Sequence, residues 1–254
     1  MRVAAVVVSH GHANDLEVLL PALEPQVDEL VIVANLPGSL PAKLPTGVRA
    51  IENARPAGFA ANVNRGAAAT SAAYVVVANP DAVPEPGAVG ELMRFADEHP
   101  RAGVVGPQMR NPDGSWQASR RRFPTVFGTL VRRTPLRSLF KPSERQREHY
   151  LLDERPTEPA LSDWMLGGFV LLRREMLDEL GGLDAGFRLY GEDIDLCYRA
   201  MKAGWERWYV PSAIVTHTYD RLVDRKLLTR RTLWLWAGIL RFVRKHPERL
   251  LVLR

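Results

Sequence analysis

The chain has 254 residues, of which 46% are hydrophobic, and a formal net charge of +5. A chain of this length and composition can bury a full core, which excludes a mainly disordered protein and fits one α/β domain or a domain with an appendage. Its single cysteine, Cys197, excludes an intrachain disulfide and a Cys-rich metal cluster. The N-terminus lacks a long apolar stretch and a cleavage site, which predicts an unexported, cytoplasmic protein.

Basic residues are concentrated in two tracts. Residues 120–147 hold nine Arg or Lys against one acid, and residues 221–254 hold ten against two. Such patches suit nucleic acid, an anionic lipid surface or a phosphate-bearing ligand, and solvated Arg-rich surface is the equally weighted alternative. Because no nucleic-acid motif accompanies the tracts, we expect no nucleic-acid partner.

Apolar runs alternate with helical periodicity over the first hundred residues. Strands are predicted at 3–8, 30–34, 48–51 and 74–78, and helices at 13–23, 57–69 and 85–99. Strands that alternate with helices favour a mainly parallel sheet covered on both faces. In such sheets ligands bind beyond the carboxyl ends of the strands.

Periodicity fades after a short predicted strand at 103–106. The stretch 111–159 is rich in Pro and Arg, and we predict loop with short helices there, as a lid or acceptor-binding segment. Order resumes with a strand-like run at 164–172, a helix at 174–180 and an acidic helix after Gly191. Further strand-like segments follow at 208–211 and 213–216.

The last predicted helix, 227–243, is basic and carries Trp234 and Trp236. Its uncharged run at 232–240 is far shorter than the roughly 20 residues that cross a bilayer. A basic, Trp-bearing amphipathic helix can instead lie in a membrane interface, which is the interpretation we prefer. Packing on the domain, or on a second subunit of a homodimer, is the alternative.

Glu192 and Asp193 open the acidic helix directly after Gly191. The helix dipole and the free N–H groups at such a position favour ionised carboxylates. A carboxylate held ionised can act as a general base. Helix capping and first-turn placement are the alternative explanation. We assign that structural role, without a part in catalysis, to Asp195.

Asn79-Pro80-Asp81 follows the strand at 74–78, at the predicted ligand-binding edge of the sheet. A single Asp there can hold a hard cation such as Mg²⁺ or Mn²⁺, which shares its other positions with water and substrate phosphates. His217, after the segment 213–216, could complete that metal shell as a neutral imidazole. A simple turn and a packed histidine are the alternatives.

Small residues mark two places where the backbone could approach a ligand. Backbone N–H groups and Arg65 around the helix start at 57–69 could meet a diphosphate, although a helix packed through its Ala face explains the small residues equally well. Gly167 and Gly168 suggest close approach to a ligand or to another strand. The sequence has no Gly-x-Ser-x-Gly elbow, Walker-type loop or HExxH motif.

The order of several segments resembles family two glycosyltransferases of the GT-A fold. The segments that carry the resemblance are GFAANVNRG, VVVANPD, SDWMLGGFVLLRRE, GGLDAGFRLYGEDIDLCYRAMKAGW and YVPSAIVTH. The likeness is nearest to bacterial rhamnosyltransferases of cell-wall and polysaccharide assembly, and it covers about residues 2–217. It implies an α/β fold with a mixed, mostly parallel sheet flanked by helices.

The resemblance also implies a domain organisation. A GT-A domain would occupy residues 1–220, with a nucleotide-sugar-binding half at 1–106 and an acceptor and catalytic half at 107–220. A basic amphipathic helical segment would follow at 221–254.

Individual roles follow from the same resemblance. Asp193 would be the catalytic base with Glu192 beside it, and Asp81 would stand for the second acid of a DxD metal motif. His217 would contact the metal or the diphosphate. Nucleotide-sugar binding would involve Ser9, His10, Asn35, Gly58, Phe59, Asn62, Arg65, Asn79 and Asp81, and acceptor binding would involve Asp163, Trp164 and Gly167.

Two positions depart from the family pattern. Ser9-His10-Gly11 stands where relatives usually have Thr-Tyr-Asn, and Ala34-Asn35 stands where they have Asp-Asn. The aspartate that is missing at Ala34 typically pairs with the nucleotide base. The identity of the base is therefore left open.

The resulting hypothesis is inverting, metal-dependent transfer of a sugar from a nucleoside diphosphate sugar. Asp193 would deprotonate the acceptor, Mg²⁺ or Mn²⁺ on Asp81 and His217 would hold the diphosphate, and Arg65 or an arginine at 120–122 would add positive charge. The acceptor would be a saccharide or a polyprenyl-diphosphate-linked sugar. In the second case the last helix would bring the enzyme to the anionic inner face of the cell membrane. A sugar nucleotidyltransferase and a non-catalytic carbohydrate-binding or membrane-associated protein are the alternatives.

Overall fold

The computed structural model describes residues 2–124, 151, 154–218 and 229–250. The first half alternates strands and helices: β1 (Val3–Ser9), α1 (Ala13–Leu23), β2 (Glu29–Ala34), β3 (Arg49–Glu52), α2 (Phe59–Ala67), β4 (Tyr74–Ala78), β5 (Ala82–Pro84) and α3 (Ala88–Glu98). The second half adds β6 (Ala102–Arg110), β7 (Trp116–Gln117), β8 (Arg120–Arg121), β9 (Ala160–Leu161), β10 (Trp164–Met165), β11 (Phe169–Arg173), α4 (Arg174–Glu179), α5 (Glu192–Lys202), β12 (Glu206–His217) and α6 (Arg230–Lys245).

Among the described residues, ten strands form one sheet, and eight of them follow the order β3-β2-β1-β4-β11-β6-β12-β5. Strands β1 to β4 pair in parallel, as do β6 and β12. Strand β11 is antiparallel to both β4 and β6, and β5 is antiparallel to β12. The expected mixed, mostly parallel sheet is confirmed.

Helices cover both faces of this sheet, so β1 and β4 are buried along their whole length. Leu16 of α1 and Leu92 of α3 pack on one face. Val63 of α2 and Leu196 of α5 pack on the other. Since burying one such side chain stabilises the fold by about 1.5–3 kcal/mol, these two layers fix the strand ends on which a site can be built.

Helix α2 packs on β1 through small residues. A Cβ on Gly66 would overlap the side chain of Val6. The alternative explanation for this Ala- and Gly-rich segment, close packing on the sheet, therefore applies to the last turn of α2.

The predicted strand boundaries are partly wrong. The run predicted at 164–172 is split into β10 and β11, and the two segments near 208–216 are one strand, β12. A register shift between Val210 and Ile214 interrupts the pairing of β12 with β6, at the point where Pro211 breaks the sequence periodicity. The lid predicted at 111–159 lies in large part outside the described residues, which omit 125–150 and 152–153.

Helix α6 packs on the domain, as the alternative to the membrane interpretation proposed. Phe242 and His246 are buried, and His246 Nε2 lies 2.8 Å from Asp195 Oδ1. Asp195 lies in the first turn of α5, as expected, but its side chain is fully buried and also binds this C-terminal segment. Leu233 and Leu240 of α6 remain 67% and 50% exposed. Within the described ranges, no helix is long and apolar enough to cross a membrane.

Candidate active site

Asp193 lies in the first turn of α5. Gly191 precedes this helix with a φ of 98°, a conformation that glycine adopts without strain. Asp193 Oδ1 accepts the N–H of Ile194 at 2.9 Å, and Oδ2 accepts the N–H of Gly167 at 3.3 Å. Burial raises the pKa of Asp193, while these hydrogen bonds and the charge of Arg121 oppose the rise. A carboxylate whose pKa is raised toward neutrality is well suited to act as a general base.

Glu192 is also buried, and its Oε2 has no hydrogen-bond partner among the described residues. Burial, followed by the charge of Asp193, raises the pKa of Glu192 to about 8. Glu192 is therefore mainly protonated at neutral pH, whereas Asp193 accepts two backbone N–H groups, which favour its ionised form. This difference supports Asp193 as the base.

Glu192→Gln is expected to stabilise the fold at pH 8 and to have a smaller effect at pH 5. An unfolded Glu releases its proton near pH 4.3, whereas folded Glu192 keeps its proton up to about pH 8. The unfolded state binds fewer protons in this window, so the stability of the wild type falls as pH rises through it. Glutamine keeps the neutral shape and avoids this loss.

Thermal melting at pH 5 and pH 8 checks this expectation. The Tm of the wild type should fall more between the two pH values than the Tm of Glu192→Gln. Glu175→Gln, at an exposed position on α4, is the matched control and should follow the wild type. A Glu192→Gln variant that also follows the wild type would contradict the assignment.

Asp81 and His217 meet at the carboxyl end of the central strands. The antiparallel register of β5 and β12 pairs Ala82 with His217. Asp81 Oδ1 and His217 Nε2 are 3.5 Å apart. Burial raises the pKa of Asp81, and burial lowers the pKa of His217, so the imidazole is held in its neutral form.

Gln117, which no sequence motif indicated, orients the imidazole of His217. Gln117 Nε2 donates to the His217 carbonyl at 3.3 Å and to Asn111 Oδ1 at 2.9 Å. Gln117 Oε1 therefore faces His217 Nδ1, at 2.8 Å, and accepts its proton. The neutral ring then turns the Nε2 lone pair toward the Asp81 carboxylate.

A divalent cation fits between these two groups. A carboxylate oxygen and an imidazole lone pair that face each other are both acceptors, and Mn²⁺ or Mg²⁺ can bind such a pair. The contact from Gln117 to Nδ1 is the usual support for a metal-binding histidine. In the part of the chain that the structure describes, no group of three or more His, Cys, Asp or Glu could hold a metal. A cation here would therefore take its other ligands from substrate and water.

Gly167 and Gly168 join the base to the metal-binding pair. Gly167 donates its N–H to Asp193, and the Gly168 carbonyl accepts the N–H of Asn79 at 2.7 Å. A Cβ on Gly168 would lie 3.2 Å from His217 Nε2. The close approach predicted for this glycine pair therefore brings together groups from β4, α5 and β12. A direct contact of Gly167 with the acceptor stays a prediction.

Arg121 is the arginine of the tract 120–122 that belongs to the site. Arg120 and Arg122 both bind Glu154. Neighbouring residues of a strand project to opposite faces, and the Arg121 guanidinium lies over the ring of Trp164, 5.0 Å from its centroid. Its positive charge opposes the burial-driven rise in the pKa of Asp193 and adds to burial in lowering the pKa of His217.

Asp163 and Trp164 hold the segment that carries Arg121. Asp163 Oδ2 accepts the N–H of Phe123 at 2.8 Å, and Trp164 Nε1 donates to the Arg122 carbonyl at 2.9 Å. Trp164 is only 4% exposed. Both side chains thus position β8, and the acceptor contact expected for them stays a prediction.

A network of amides lies at the ends of β1, β2 and β3. Asn35 Oδ1 accepts the N–H of Ala57 at 2.8 Å, and Asn35 Nδ2 donates to the Ala57 carbonyl at 3.1 Å. The same Nδ2 donates to His10 Nδ1 at 3.0 Å, so His10 keeps its proton on Nε2. Ser9 is fully buried, and its carbonyl accepts the N–H of Asn35 at 2.7 Å.

Asn53, which no sequence motif indicated, connects this network to α2. Asn53 Nδ2 donates to Asn35 Oδ1 at 2.9 Å and to Asn62 Oδ1 at 2.6 Å, and Asn53 Oδ1 accepts from Arg65. Arg65 lies in the last turn of α2. The structure therefore does not bring Arg65 to the helix N-terminus, where the sequence placed a diphosphate contact.

The N-terminus of α2 is partly engaged by the protein. A Cβ on Gly58 would lie 3.0 Å from Arg188 Cα, and Phe59 donates its N–H to the Arg188 carbonyl at 2.9 Å. One of the N–H groups expected to meet phosphate is thus already paired. The chemistry that the described side chains support is proton abstraction at Asp193, beside a cation-binding pair and a fixed arginine.

Comparison with known proteins identifies the family to which this chain belongs. The model described as "Glycosyltransferase like family 2" matches residues 3–237. The N-acetylglucosaminyl-diphospho-decaprenol L-rhamnosyltransferase of Mycobacterium tuberculosis (strain CDC 1551 / Oshkosh) is 38% identical over 152 residues, 57% of this chain and 46% of that protein. Rhamnosyltransferase WbbL of Escherichia coli (strain K12) is 33% identical over 81 residues, 32% of this chain and 30% of that protein. The chain thus spans less than half the length of either relative.

Two solved structures share the fold. The crystal structure of GalNAc-T7 with UDP, GalNAc and Mn²⁺ has a TM-score of 0.68 and 17% identity, and covers 96% of this chain and 48% of that one. Mannosyltransferase PcManGT from Pyrobaculum calidifontis, in complex with GDP-Man and Mn²⁺, has a TM-score of 0.59 and 16% identity, and covers 96% of this chain and 64% of that one. The predicted GT-A fold is confirmed.

Proposed function

Since the chain belongs to glycosyltransferase-like family 2, we propose that it transfers a sugar from a nucleoside diphosphate sugar to an acceptor hydroxyl. One observation carries this proposal: Gly167 and Gly168 place Asp193 next to the pair formed by Asp81 and His217. A base and a cation-binding pair on one segment suit a reaction that deprotonates a hydroxyl and releases a diphosphate.

The proposed reaction inverts the configuration of the anomeric carbon. Asp193 accepts the proton of the acceptor hydroxyl, and the acceptor oxygen forms a bond to the anomeric carbon on the face opposite the diphosphate. The bond from that carbon to the diphosphate oxygen breaks, and the nucleoside diphosphate leaves. Burial and the neighbouring Asp193 raise the pKa of Glu192 to about 8, so Glu192 is mainly neutral at pH 7 and Asp193 is the proposed base. Because the acceptor oxygen displaces the diphosphate directly, no covalent sugar–enzyme intermediate is required.

A bound cation and Arg121 would balance the negative charge on the leaving diphosphate. Asp81 and His217 would hold Mg²⁺ or Mn²⁺, which neutralises developing negative charge when bound. The Mn²⁺ in both fold neighbours supports a divalent cation. Arg121, stacked on Trp164, contributes a fixed positive charge near Asp193 and His217. Charges fixed before the reaction stabilise its transition state without reorganisation.

Rhamnose as the sugar and a polyprenyl-diphosphate-linked acceptor complete the proposal, with a role in cell-wall or polysaccharide assembly. The names of the mycobacterial and Escherichia coli relatives support rhamnose, and the name of the mycobacterial relative supports the polyprenyl-diphosphate-linked acceptor. Leu233, Leu240 and Arg244 are exposed on α6, and a face of this kind can rest on an anionic membrane. We place the enzyme at the inner face of the cell membrane, where such an acceptor would be presented.

A panel of donors and acceptors tests the proposal. Rhamnose and common hexoses linked to thymidine, uridine or guanosine diphosphate are assayed with Mn²⁺, Mg²⁺ or chelator, and the acceptor lipid is presented in detergent or in anionic vesicles. We expect one donor to release its nucleoside diphosphate, only with metal, and faster with vesicles. No binding or turnover of any donor would contradict the proposal, and release of diphosphate from a nucleoside triphosphate would favour the nucleotidyltransferase.

A further inference from the structure

Helix α6 lies against the turn that leads into α5. A Cβ on Gly238 would overlap the carbonyl oxygen of Tyr190, and a Cβ on Gly191 would lie 3.8 Å from the Gly238 carbonyl oxygen. The backbone of α6 therefore touches the backbone of this turn with no side chain between them. Glu192 and Asp193 are the next two residues.

The turn has an uncommon conformation. Tyr190 has a φ of 72° and Gly191 a φ of 98°. A tyrosine in the left-handed region is strained, and it stays there where its surroundings hold it. Phe187 closes the other side, since a Cβ on Gly191 would lie 3.1 Å from its ring. Gly238 and Phe187 thus confine the turn from two directions.

Ion pairs fix α6 on both sides of this contact. Asp184, before the turn, binds Arg241 at 2.7 Å and Lys245 at 2.9 Å. Burial alone would raise the pKa of Asp184, but hydrogen bonds from Arg241 and Lys245 hold that pKa well below its usual range. Asp195, after the turn, is fully buried and binds Lys245 at 2.9 Å and His246 at 2.8 Å.

We propose that the contact of α6 with the turn at Tyr190 and Gly191 positions the catalytic base, and that Gly238 is a positioning residue for Asp193. By filling the space behind Tyr190, the α6 backbone sets the turn that directs Asp193 toward the N–H of Gly167. The inference rests on the proposed sugar transfer, in which Asp193 is the base. Gly238 contacts the backbone of Tyr190 and Gly191, which directly precede Glu192 and Asp193, so its substitution should affect turnover more than donor binding.

Gly238→Ala provides the test, with Ala237→Val as the matched control on the exposed side of the same helix. Alanine favours a helix more than glycine does, but its Cβ would overlap the Tyr190 carbonyl oxygen. A purely structural role therefore predicts a loss of stability with unchanged turnover of the folded protein. We expect kcat of Gly238→Ala to fall by about tenfold to a hundredfold, because small misplacements of catalytic groups have effects of that size. Its affinity for the nucleoside diphosphate should stay within about twofold of the wild type if α6 acts only on the base.

The pH profile gives a second readout. The hydrogen bond from Gly167 lowers the pKa of Asp193. A loosened bond should therefore raise that pKa and move the acidic limb of kcat to higher pH in Gly238→Ala, but not in Ala237→Val. Arg241→Gln, which weakens the anchor on Asp184 without adding volume, should shift kcat and the limb in the same direction by less.

Hydrogen exchange separates failure of this inference from failure of the proposed function. The amides of residues 190–194 should exchange faster in Gly238→Ala than in Ala237→Val, whether or not a donor is known. The positioning role would be overturned if Gly238→Ala and Arg241→Gln both kept the kcat of the wild type, the acidic limb of its pH profile and its rates of hydrogen exchange. A wild-type chain that transfers no sugar would instead contradict the proposed function, and exchange alone would then decide the position of α6.

Discussion

Asp193→Asn is expected to lower sugar transfer by about 10²–10⁴-fold, because the amide cannot accept the proton of the acceptor hydroxyl. Asparagine keeps the size of the side chain, and one of its oxygen contacts, to Gly167 or to Ile194, can persist. The donor site, which is built from other elements, should be unaffected. The expected result is a loss of kcat with nucleoside diphosphate binding retained.

Turnover under donor saturation and calorimetric titration with the nucleoside diphosphate measure the two quantities separately. Asp178→Asn, at an exposed acid of α4, is the control and should retain wild-type turnover. In the wild type, kcat should rise with pH through the pKa of Asp193, which burial raises above its ordinary value. Wild-type turnover by Asp193→Asn would remove Asp193 as the base.

Asp81→Asn is expected to remove most of the metal-dependent affinity for the nucleoside diphosphate. The substitution takes away the only carboxylate of the pair formed by Asp81 and His217.

Gln117→Leu should weaken Mn²⁺ binding by about 10–100-fold, the effect typical of losing a group that orients a metal ligand. Without Gln117 Oε1, His217 is free to adopt the tautomer that places a proton on Nε2.

Titration of the nucleoside diphosphate with Mn²⁺, and again with chelator, checks both variants. Asp113→Asn, at an exposed acid in the turn between β6 and β7, should bind as the wild type does. Equal binding with Mn²⁺ and with chelator in the wild type would argue against a metal at this pair. A normal metal dependence in Asp81→Asn would place the cation elsewhere.

The first half of the fold could be predicted because its signals are local. Strands buried on both faces produce continuous apolar runs, as in β1, β2 and β4, and the polar groups that end them must lie at one edge. Asp81 was proposed in this way, whereas Asn35 was expected only from the family resemblance. Arg65 was misplaced because six residues of helix separate it from Phe59, a rise of about 9 Å.

Contacts between distant segments could not be predicted. Gln117 meets His217 across 100 residues, and Asp195 meets His246 across 51. No local periodicity encodes such pairings, since they depend on the register of β7 beside β6 and on the way α6 returns to α5. The short strands β5, β7 and β8 were missed for a different reason. Two or three residues are too few to show the alternation of a strand.

The antiparallel direction of β11 explains how the two halves of the sequence share one site. An antiparallel strand begins where its parallel neighbours end, so Gly167 and Gly168, just before β11, arrive at the carboxyl end of β4. Five consecutive residues of β11 pair with β4, from Phe169 beside Ala78 to Arg173 beside Tyr74. A strand from the second half of the sequence therefore lies next to β4, in the centre of the sheet. We therefore expect the two halves to unfold together, and a loss of the pairing between β11 and β4 should also displace Gly167 and Gly168 from the site.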